Sequence, residues 1–194
     1  MRKVLYGYFF VLTLQLLPIG LLLSIGDFMS KRVSNVVRVL NKNKVRYLFL
    51  IYLICLADFV ILKYFGDIKI VSERIKEIRT LRNAGYWNIN LIPLRSILSS
   101  INYFFRHPSM GVVTIYFIGN IIVFVPMGFL PPFFLKKVSF HRMILFCLAV
   151  IVGIEFIQFI TCLGVADVDD IILNMIGCMI GFMIFLIYKK RMKL

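Results

Sequence analysis

The stretch "GVADVDDIILNMIGCMIG", residues 164–181, places three aspartates at the start of a long apolar segment. Asp167 stands where the N-cap of a helix is expected, with Asp169 and Asp170 in the first turn. Carboxylates there accept hydrogen bonds from backbone N–H groups and interact favourably with the positive end of the helix dipole. Capping accounts for one or two of these acids but not for three, so the stretch also indicates a polar site.

One face of the same segment changes from polar to small along its length. Asp170, Asn174, Gly177 and Gly181 recur at i, i+4, i+7 and i+11 and therefore share a helix face. Gly177 and Gly181 form a small-xxx-small surface that lets a neighbouring helix approach closely. We expect this packing to direct Asp170 and Asn174 into a helical bundle.

The composition favours a membrane protein. Hydrophobic residues make up 61% of the 194-residue chain, and the mean hydropathy is +0.92, whereas average proteins are about 45–50% apolar. A membrane helix takes about 20 residues, and the apolar blocks of that size are 4–26, 47–65, 111–134, 143–163 and 170–188. We predict an all-α fold, a polytopic helical membrane bundle with about five transmembrane helices plus interfacial amphipathic helices.

The distribution of charge predicts an orientation in the cell membrane. The net charge is +14, and Lys and Arg fall between and after the apolar blocks, which is typical of membrane anchoring and disfavours nucleic-acid binding. Cations occur in 135–142 and in the tail 189–194, but none lies between the last two spans. The positive-inside rule then places the C-terminus in the cytoplasm, the acidic loop outside and the N-terminus outside.

Residues 66–110 oppose this orientation, because they would lie outside although they carry several cations. These are Lys69, Arg74, Lys76, Arg79, Arg82, Arg95 and Arg106.

Amphipathic patterns predict helices at the membrane surface. One is the basic segment 31–46, for which a solvated loop is an equal alternative. Segment 66–110 has two apolar stripes, the first after a potential Ser72 cap. The stripes are Val71, Ile75, Ile78 and Leu81, then Ile97, Leu98, Ile101, Phe104 and Phe105. The chain thus divides into two N-terminal transmembrane helices with a basic connection (1–66), an interfacial segment (67–110), a three-helix core (111–188) and a basic cytoplasmic tail (189–194).

Few polar side chains lie within the apolar blocks, and such residues usually face a bundle interior or a cavity. Glu155 and Gln158 share a face, and Asn120 lies in the preceding span, where Pro126 can kink the helix. We expect these residues to meet the acidic stretch in one extracytoplasmic pocket. For Asn120, an interhelical hydrogen bond without further function is an even alternative.

"NLIPLRSI", residues 90–97, adds Asn90 and Arg95 to the same side of the membrane. Arg95 is placed either to pair with the acids or to reach lipid headgroups. The ligand-pocket candidates are therefore Asn90, Arg95, Asn120, Glu155, Gln158, Asp167, Asp170 and Asn174. Cys55, Cys147, Cys162 and Cys178 lack metal-ligand spacing, and no cofactor is predicted.

Four blocks of this sequence, in order, resemble the VanZ-like family of membrane proteins. They are "NLIPLRSI", "GNIIVFVPMGFLPPF", "EFIQ" and "ADVDDIILNMIGCMIG", and the resemblance covers residues 88–182 without the first two spans. The matching positions are Asn90, Pro93, Asn120, Pro126, Gly128, Glu155, Gln158, Asp167, Asp170, Asn174 and Gly177. Many members carry an arginine shortly before the acidic run, where this chain has Gly164 and Val165.

The resemblance implies a location in the cell membrane and, for the founding member, low-level resistance to the glycopeptide teicoplanin without an established enzymatic activity. We therefore expect a protein that engages a lipid-anchored ligand, such as a lipoglycopeptide or a lipid-linked cell-wall precursor. Membrane lipids, a second copy of the chain or a membrane partner protein are further expected partners.

Two other functional classes fit the same polar residues. A metal-dependent membrane enzyme acting on a lipid-linked phosphate would use Asp167, Asp169, Asp170 and Glu155 as hard oxygen ligands. A small proton-coupled transporter would use Glu155 with Gln158 and Asn120 as a relay. No known catalytic motif is present, and no catalytic residue is assigned.

Overall fold

The computed structural model describes residues 42–60, 68–106, 110–136 and 138–191. These residues are mostly helical, which confirms the all-α part of the predicted fold class. The helices are α1 (Lys42–Val60), α2 (Ile68–Asn83), α3 (Arg95–Arg106), α4 (Met110–Phe129), α5 (Phe140–Thr161) and α6 (Val168–Arg191). A 3-10 turn occupies Pro131–Phe133, and two-residue strands, β1 (Ile89–Asn90) and β2 (Ala166–Asp167), form one parallel pair that the sequence patterns did not indicate.

The predicted spans coincide with helices wherever the structure describes them. Blocks 111–134, 143–163 and 170–188 correspond to α4, α5 and α6, and α1 occupies the described part of block 47–65. Among the described residues, α5 and α6, with 22 and 24 residues, are long and apolar enough to cross a membrane. Block 4–26 lies outside the described residues, as does most of segment 31–46, so the number of spans stays a prediction.

Helices α4 and α6 run parallel and pack with their backbones close together. A Cβ atom added to Gly177 would lie 2.1 Å from the carbonyl oxygen of Ile121, and one added to Gly181 would lie 2.0 Å from that of Val125. On α4, a Cβ atom at Gly128 would lie 1.8 Å from the carbonyl oxygen of Cys178. Glycine is needed at these positions because any side chain would force the two helices apart.

Helix α1 completes the core on the other side of α4. The Tyr52 hydroxyl donates to the carbonyl oxygen of Val123 at 2.9 Å, and Leu56 is buried beside it. Pro126 is buried inside α4, whose helical hydrogen bonding continues with Leu130 N–H donating to the Pro126 carbonyl oxygen at 3.0 Å. Phe124, Met127 and Ile151 fill the space between the helices and are almost fully buried.

Cations from three parts of the chain lie together at one end of the bundle. Arg46 lies 5.9 Å from the ring centroid of Phe134, and Phe133 contacts Phe185 and Tyr188 near the end of α6. These contacts bring together the cation-bearing start of α1, the turn before α5 and the end of α6. The cations of this end are Lys42, Lys44, Arg46, Lys136, Arg142, Lys189, Lys190 and Arg191. The aspartates that open α6 lie at the opposite end, where Arg74, Arg82 and Arg95 also lie.

The outer faces of α5 and α6 are apolar and exposed. Leu145 and Phe156 are 64% and 60% exposed, and Met183 and Ile187 are 50% and 56% exposed. Apolar surface on this scale marks a contact with another apolar phase. This exposed apolar surface suits α5 and α6 to contact with lipid.

The interfacial segment differs from its prediction at α2. The expected Ser72 cap is wrong, because α2 begins at Ile68 and the Ser72 hydroxyl donates to the Lys69 carbonyl oxygen at 2.9 Å within the helix. On the first stripe, Ile78 is only 2% exposed whereas Leu81 is 47% exposed. On α3, by contrast, Leu98, Ile101 and Phe105 are all exposed.

Candidate functional site

The short parallel strands join the interfacial segment to the loop before α6. Ile89 pairs with Ala166 and Asn90 with Asp167, and Ala166 N–H donates to the Asn88 carbonyl oxygen at 3.1 Å. This pairing sets the residues after α2 directly against the acidic stretch. Sequence periodicity could not predict it, because strands of two residues carry no detectable alternation.

Arg82 and Asn88 hold the end of α5 against this strand pair. Arg82 Nε donates to Asn88 Oδ1 at 2.6 Å, and a second guanidinium nitrogen of Arg82 donates to the Phe159 carbonyl oxygen. Asn88 Nδ2 donates to the Gly164 carbonyl oxygen at 2.7 Å. A cation at the last turn of a helix satisfies carbonyl groups and interacts favourably with the helix dipole. Neither role was predicted from the sequence patterns.

Asp169 caps α3 from a distant part of the chain. Its carboxylate accepts from the backbone N–H groups of Leu94 at 2.5 Å, Ser96 at 2.8 Å and Ile97 at 3.1 Å. Asp169 is fully buried, and Leu94 has φ = 65°, in the left-handed region that non-glycine residues rarely adopt. The carboxylate satisfies the first N–H groups of α3 and fixes this turn.

Asp167 caps its own helix and also ties β1 to α3. Its Oδ1 accepts from Asp169 N–H at 2.9 Å, as predicted for an N-cap, and from Asn90 Nδ2 at 3.0 Å. Its Oδ2 accepts from the Ser96 hydroxyl. Both carboxylate oxygens of Asp167 are therefore engaged within the fold.

Glu155 and Asp170 connect the loop and α6 to the rest of the bundle. Glu155 is 5% exposed, and its Oε2 accepts from Asp167 N–H at 3.1 Å. Asp170 Oδ1 accepts from Asn120 Nδ2 at 3.0 Å, so α6 and α4 share a polar contact at this end. Asn174 is 2% exposed, and its Oδ1 has no hydrogen-bond partner within the described residues.

A polar cleft of about 530 Å³ opens beside these contacts. Its walls come from α2, β1, α3, the end of α5, the loop before α6 with β2, and the first turn of α6. The lining residues are Arg74, Asn90, Arg95, Ser96, Ser99, Ser100, Gln158, Leu163, Gly164, Val165, Asp167 and Asp170.

The structure separates the pocket candidates into two groups. Asn90, Arg95, Gln158, Asp167 and Asp170 line the cleft, whereas Asn120, Glu155 and Asn174 lie outside its lining; Glu155 and Asn174 are buried and Asn120 is half-buried. Within the described part of the chain, Arg95 forms no ion pair with an acid. Arg74, Ser99 and Ser100 are lining residues that the sequence analysis did not select.

The carboxylates proposed for a metal are directed elsewhere. Asp167 and Asp169 accept from N–H and O–H donors, and the described residues contain no group of three His, Cys, Asp or Glu side chains arranged to hold a metal ion. No contact in the described regions favours the enzyme or the transporter alternative.

The fold is a helical bundle with a polar cleft at one end, and two of its helices are long and apolar enough to cross a membrane. The chain belongs to the VanZ/LLP1 family, whose model matches residues 49–189. It is similar to Protein VanZ of Enterococcus faecium, with 31% identity over 102 residues, which are 50% of this chain and 63% of that protein. No solved structure matches this chain.

The family match is longer than the resemblance seen in the sequence. It begins at residue 49 rather than near 88 and so includes most of α1. The packing explains this extension, because Tyr52 of α1 is 3% exposed and hydrogen-bonded to α4. Helix α1 is part of the bundle core, and every residue of the cleft lies within the matched range.

Proposed function

We propose that this protein contributes to resistance against teicoplanin at the cell envelope by engaging a lipid-anchored ligand in the polar cleft. Membership of the VanZ/LLP1 family supports the association with resistance. The observation that carries the binding role is the cleft itself, whose volume of about 530 Å³ falls in the range typical of small-molecule sites.

The cations at the end of the bundle opposite the cleft support an extracytoplasmic location for the cleft, whereas Arg74, Arg82 and Arg95 lie at the cleft end and oppose it. The cations of α1, of the turn before α5 and of the end of α6 lie at one end of the bundle, and short cytoplasmic connections carry an excess of Lys and Arg. The cleft lies at the other end. A ligand anchored in the outer leaflet would reach it from the membrane surface.

A substitution that fills the cleft tests this proposal. Ser100 lines the cleft and is half-buried, whereas Asn102 on the same helix is exposed and lies outside the lining. We expect cells carrying Ser100→Trp to become as susceptible to teicoplanin as cells without the protein. The matched variant Asn102→Trp should protect as well as wild type.

The susceptibility of each strain is measured together with the amount of protein in its membranes. Equal membrane levels show that a loss of protection reflects the cleft and not the loss of the protein. If Ser100→Trp protects as well as wild type, ligand binding in the cleft is not the basis of resistance.

A further inference from the structure

The carboxylates of the cleft are largely engaged within the fold. Asp167 accepts from Asn90, Ser96 and Asp169, and Asp170 accepts from Asn120. Asp169, the most buried acid, does not line the cleft. The acidic stretch thus stabilises the walls, and the chemistry offered to a ligand comes from other groups.

The groups that remain for a ligand are hydrogen-bond donors. Arg95 forms no ion pair within the described residues. Arg74 pairs with Glu77 through one terminal guanidinium nitrogen at 2.9 Å. The Nε atom of Arg74 is buried and has no hydrogen-bond partner among the described residues. The hydroxyls of Ser99 and Ser100 also make no hydrogen bond in the described regions. Guanidinium groups match the geometry of phosphate oxygens, and charge-assisted hydrogen bonds are the stronger ones.

Helix α3 relates these donors to the membrane surface. Ser96, Ser99 and Ser100 lie on the face of α3 that lines the cleft. Leu98, Ile101 and Phe105 lie on the opposite face and are 55%, 37% and 78% exposed. A helix that is apolar on one face and polar on the other lies at the boundary between lipid headgroups and acyl chains. In that position, α3 would place the cleft at the depth of the lipid headgroups.

We propose that the cleft is a binding site for a phosphate group, held by Arg74, Arg95, Ser99 and Ser100. This inference rests on the proposed function and names the chemical class of its ligand. The phosphate belongs either to the headgroup of an amphiphile or to free inorganic phosphate, and the experiment distinguishes these two sources.

The test measures the affinity of the full-length protein in neutral detergent for three probes. They are dioctanoyl phosphatidic acid, the uncharged dioctanoylglycerol and inorganic phosphate, each titrated by calorimetry. We expect phosphatidic acid to bind and dioctanoylglycerol to bind at least tenfold more weakly, because only phosphatidic acid carries the phosphate anion. A tenfold difference in affinity corresponds to about 1.4 kcal/mol of binding free energy.

Two arginines of α3 provide matched variants. Arg95 lines the cleft, whereas Arg106 is exposed at the other end of the same helix and lies outside the lining. Arg95→Gln should weaken phosphatidic acid binding about tenfold, the loss expected for one charge-assisted contact, and Arg106→Gln should leave it within about twofold. The double variant Ser99→Ala, Ser100→Ala provides a second loss of donors, and thermal unfolding verifies that each variant is folded.

Each outcome decides a specific point. Equal binding of both lipids, or equal weakening by Arg95→Gln and Arg106→Gln, overturns the phosphate site. If inorganic phosphate competes with the lipid and depends on Arg95, the site is supported and free phosphate is sufficient; if it does not compete, the headgroup is the ligand. Failure of the phosphate site would not change the teicoplanin susceptibility of cells carrying Ser100→Trp. That susceptibility therefore tests the proposed function independently of phosphate binding.

Discussion

Asp169 shows how a single buried charge can be balanced by backbone donors. The carboxylate is fully buried and accepts three N–H groups at the start of α3. Each bond to a charged group contributes about 1.5–3 kcal/mol, and a buried donor left without a partner costs a similar amount. Asp169 thus links the start of α6 to one wall of the cleft.

The substitution Asp169→Asn tests this role. The amide retains one acceptor oxygen but turns an NH₂ donor toward a backbone N–H, so we expect the free energy of unfolding to fall by about 2 kcal/mol or more. Thermal unfolding of the purified protein in detergent measures the change. Glu73→Gln on the exposed face of α2 is the control and should stay within about 0.5 kcal/mol of wild type. Equal stability of the two variants would contradict the capping role.

At the scale of elements, the contact between α4 and α6 depends on the absence of side chains at three glycines. Gly128, Gly177 and Gly181 each face a backbone atom of the other helix at a distance that excludes a Cβ atom. Helix packing in a membrane relies on such close approach, because lipid gives no hydrophobic driving force between helices. The same contact aligns Asp170 with Asn120 at the end beside the cleft.

Gly177→Ala should therefore destabilise the bundle. Its Cβ would lie 2.1 Å from the Ile121 carbonyl oxygen, and we expect a loss of about 1–3 kcal/mol, as for an overpacked core. Gly153→Ala on α5 is the matched control, because nothing lies within 4 Å of its added Cβ. That variant should be unchanged or more stable by up to about 1 kcal/mol, since alanine favours helices. Unfolding in detergent compares both; similar effects would argue against close packing of α4 on α6.

At the scale of the whole molecule, the cations at the end of the bundle opposite the cleft predict an orientation in which the cleft faces outward. Val165 lines the cleft and is 40% exposed, and Lys136 is exposed at the opposite end. The four native cysteines are free. They can therefore be replaced without breaking a disulfide, so that each new cysteine is labelled alone.

We expect Val165→Cys to react with an impermeant thiol reagent in intact cells and Lys136→Cys to react only after lysis. The physical reason is that short connections rich in Lys and Arg stay in the cytoplasm. Mass spectrometry of the purified protein quantifies the labelling, and each variant serves as the control for the other. The reverse pattern would place the cleft in the cytoplasm and contradict the proposed function.

Local signals in the sequence were sufficient for the helices and for one cap. The helices α4, α5 and α6 follow from apolar length alone, and the Asp167 cap follows from its position two residues before the N–H that it accepts. The shared face of Asp170, Gly177 and Gly181 follows from helical spacing, which predicted the close approach of a neighbouring helix, and the structure identifies that helix as α4.

The tertiary structure alone decided which groups face the cleft. The donors to Asp169 lie 72 to 75 residues away in sequence, and no local period encodes such a pairing. The same holds for Arg82 with Phe159, which are 77 residues apart. The sequence by itself determined a chain of long apolar helices with polar residues near one end. Long-range hydrogen bonds determined that its acids hold the walls and that arginines and serines line the cleft beside Asp167 and Asp170, because a buried carboxylate is stable only where enough donors converge on it.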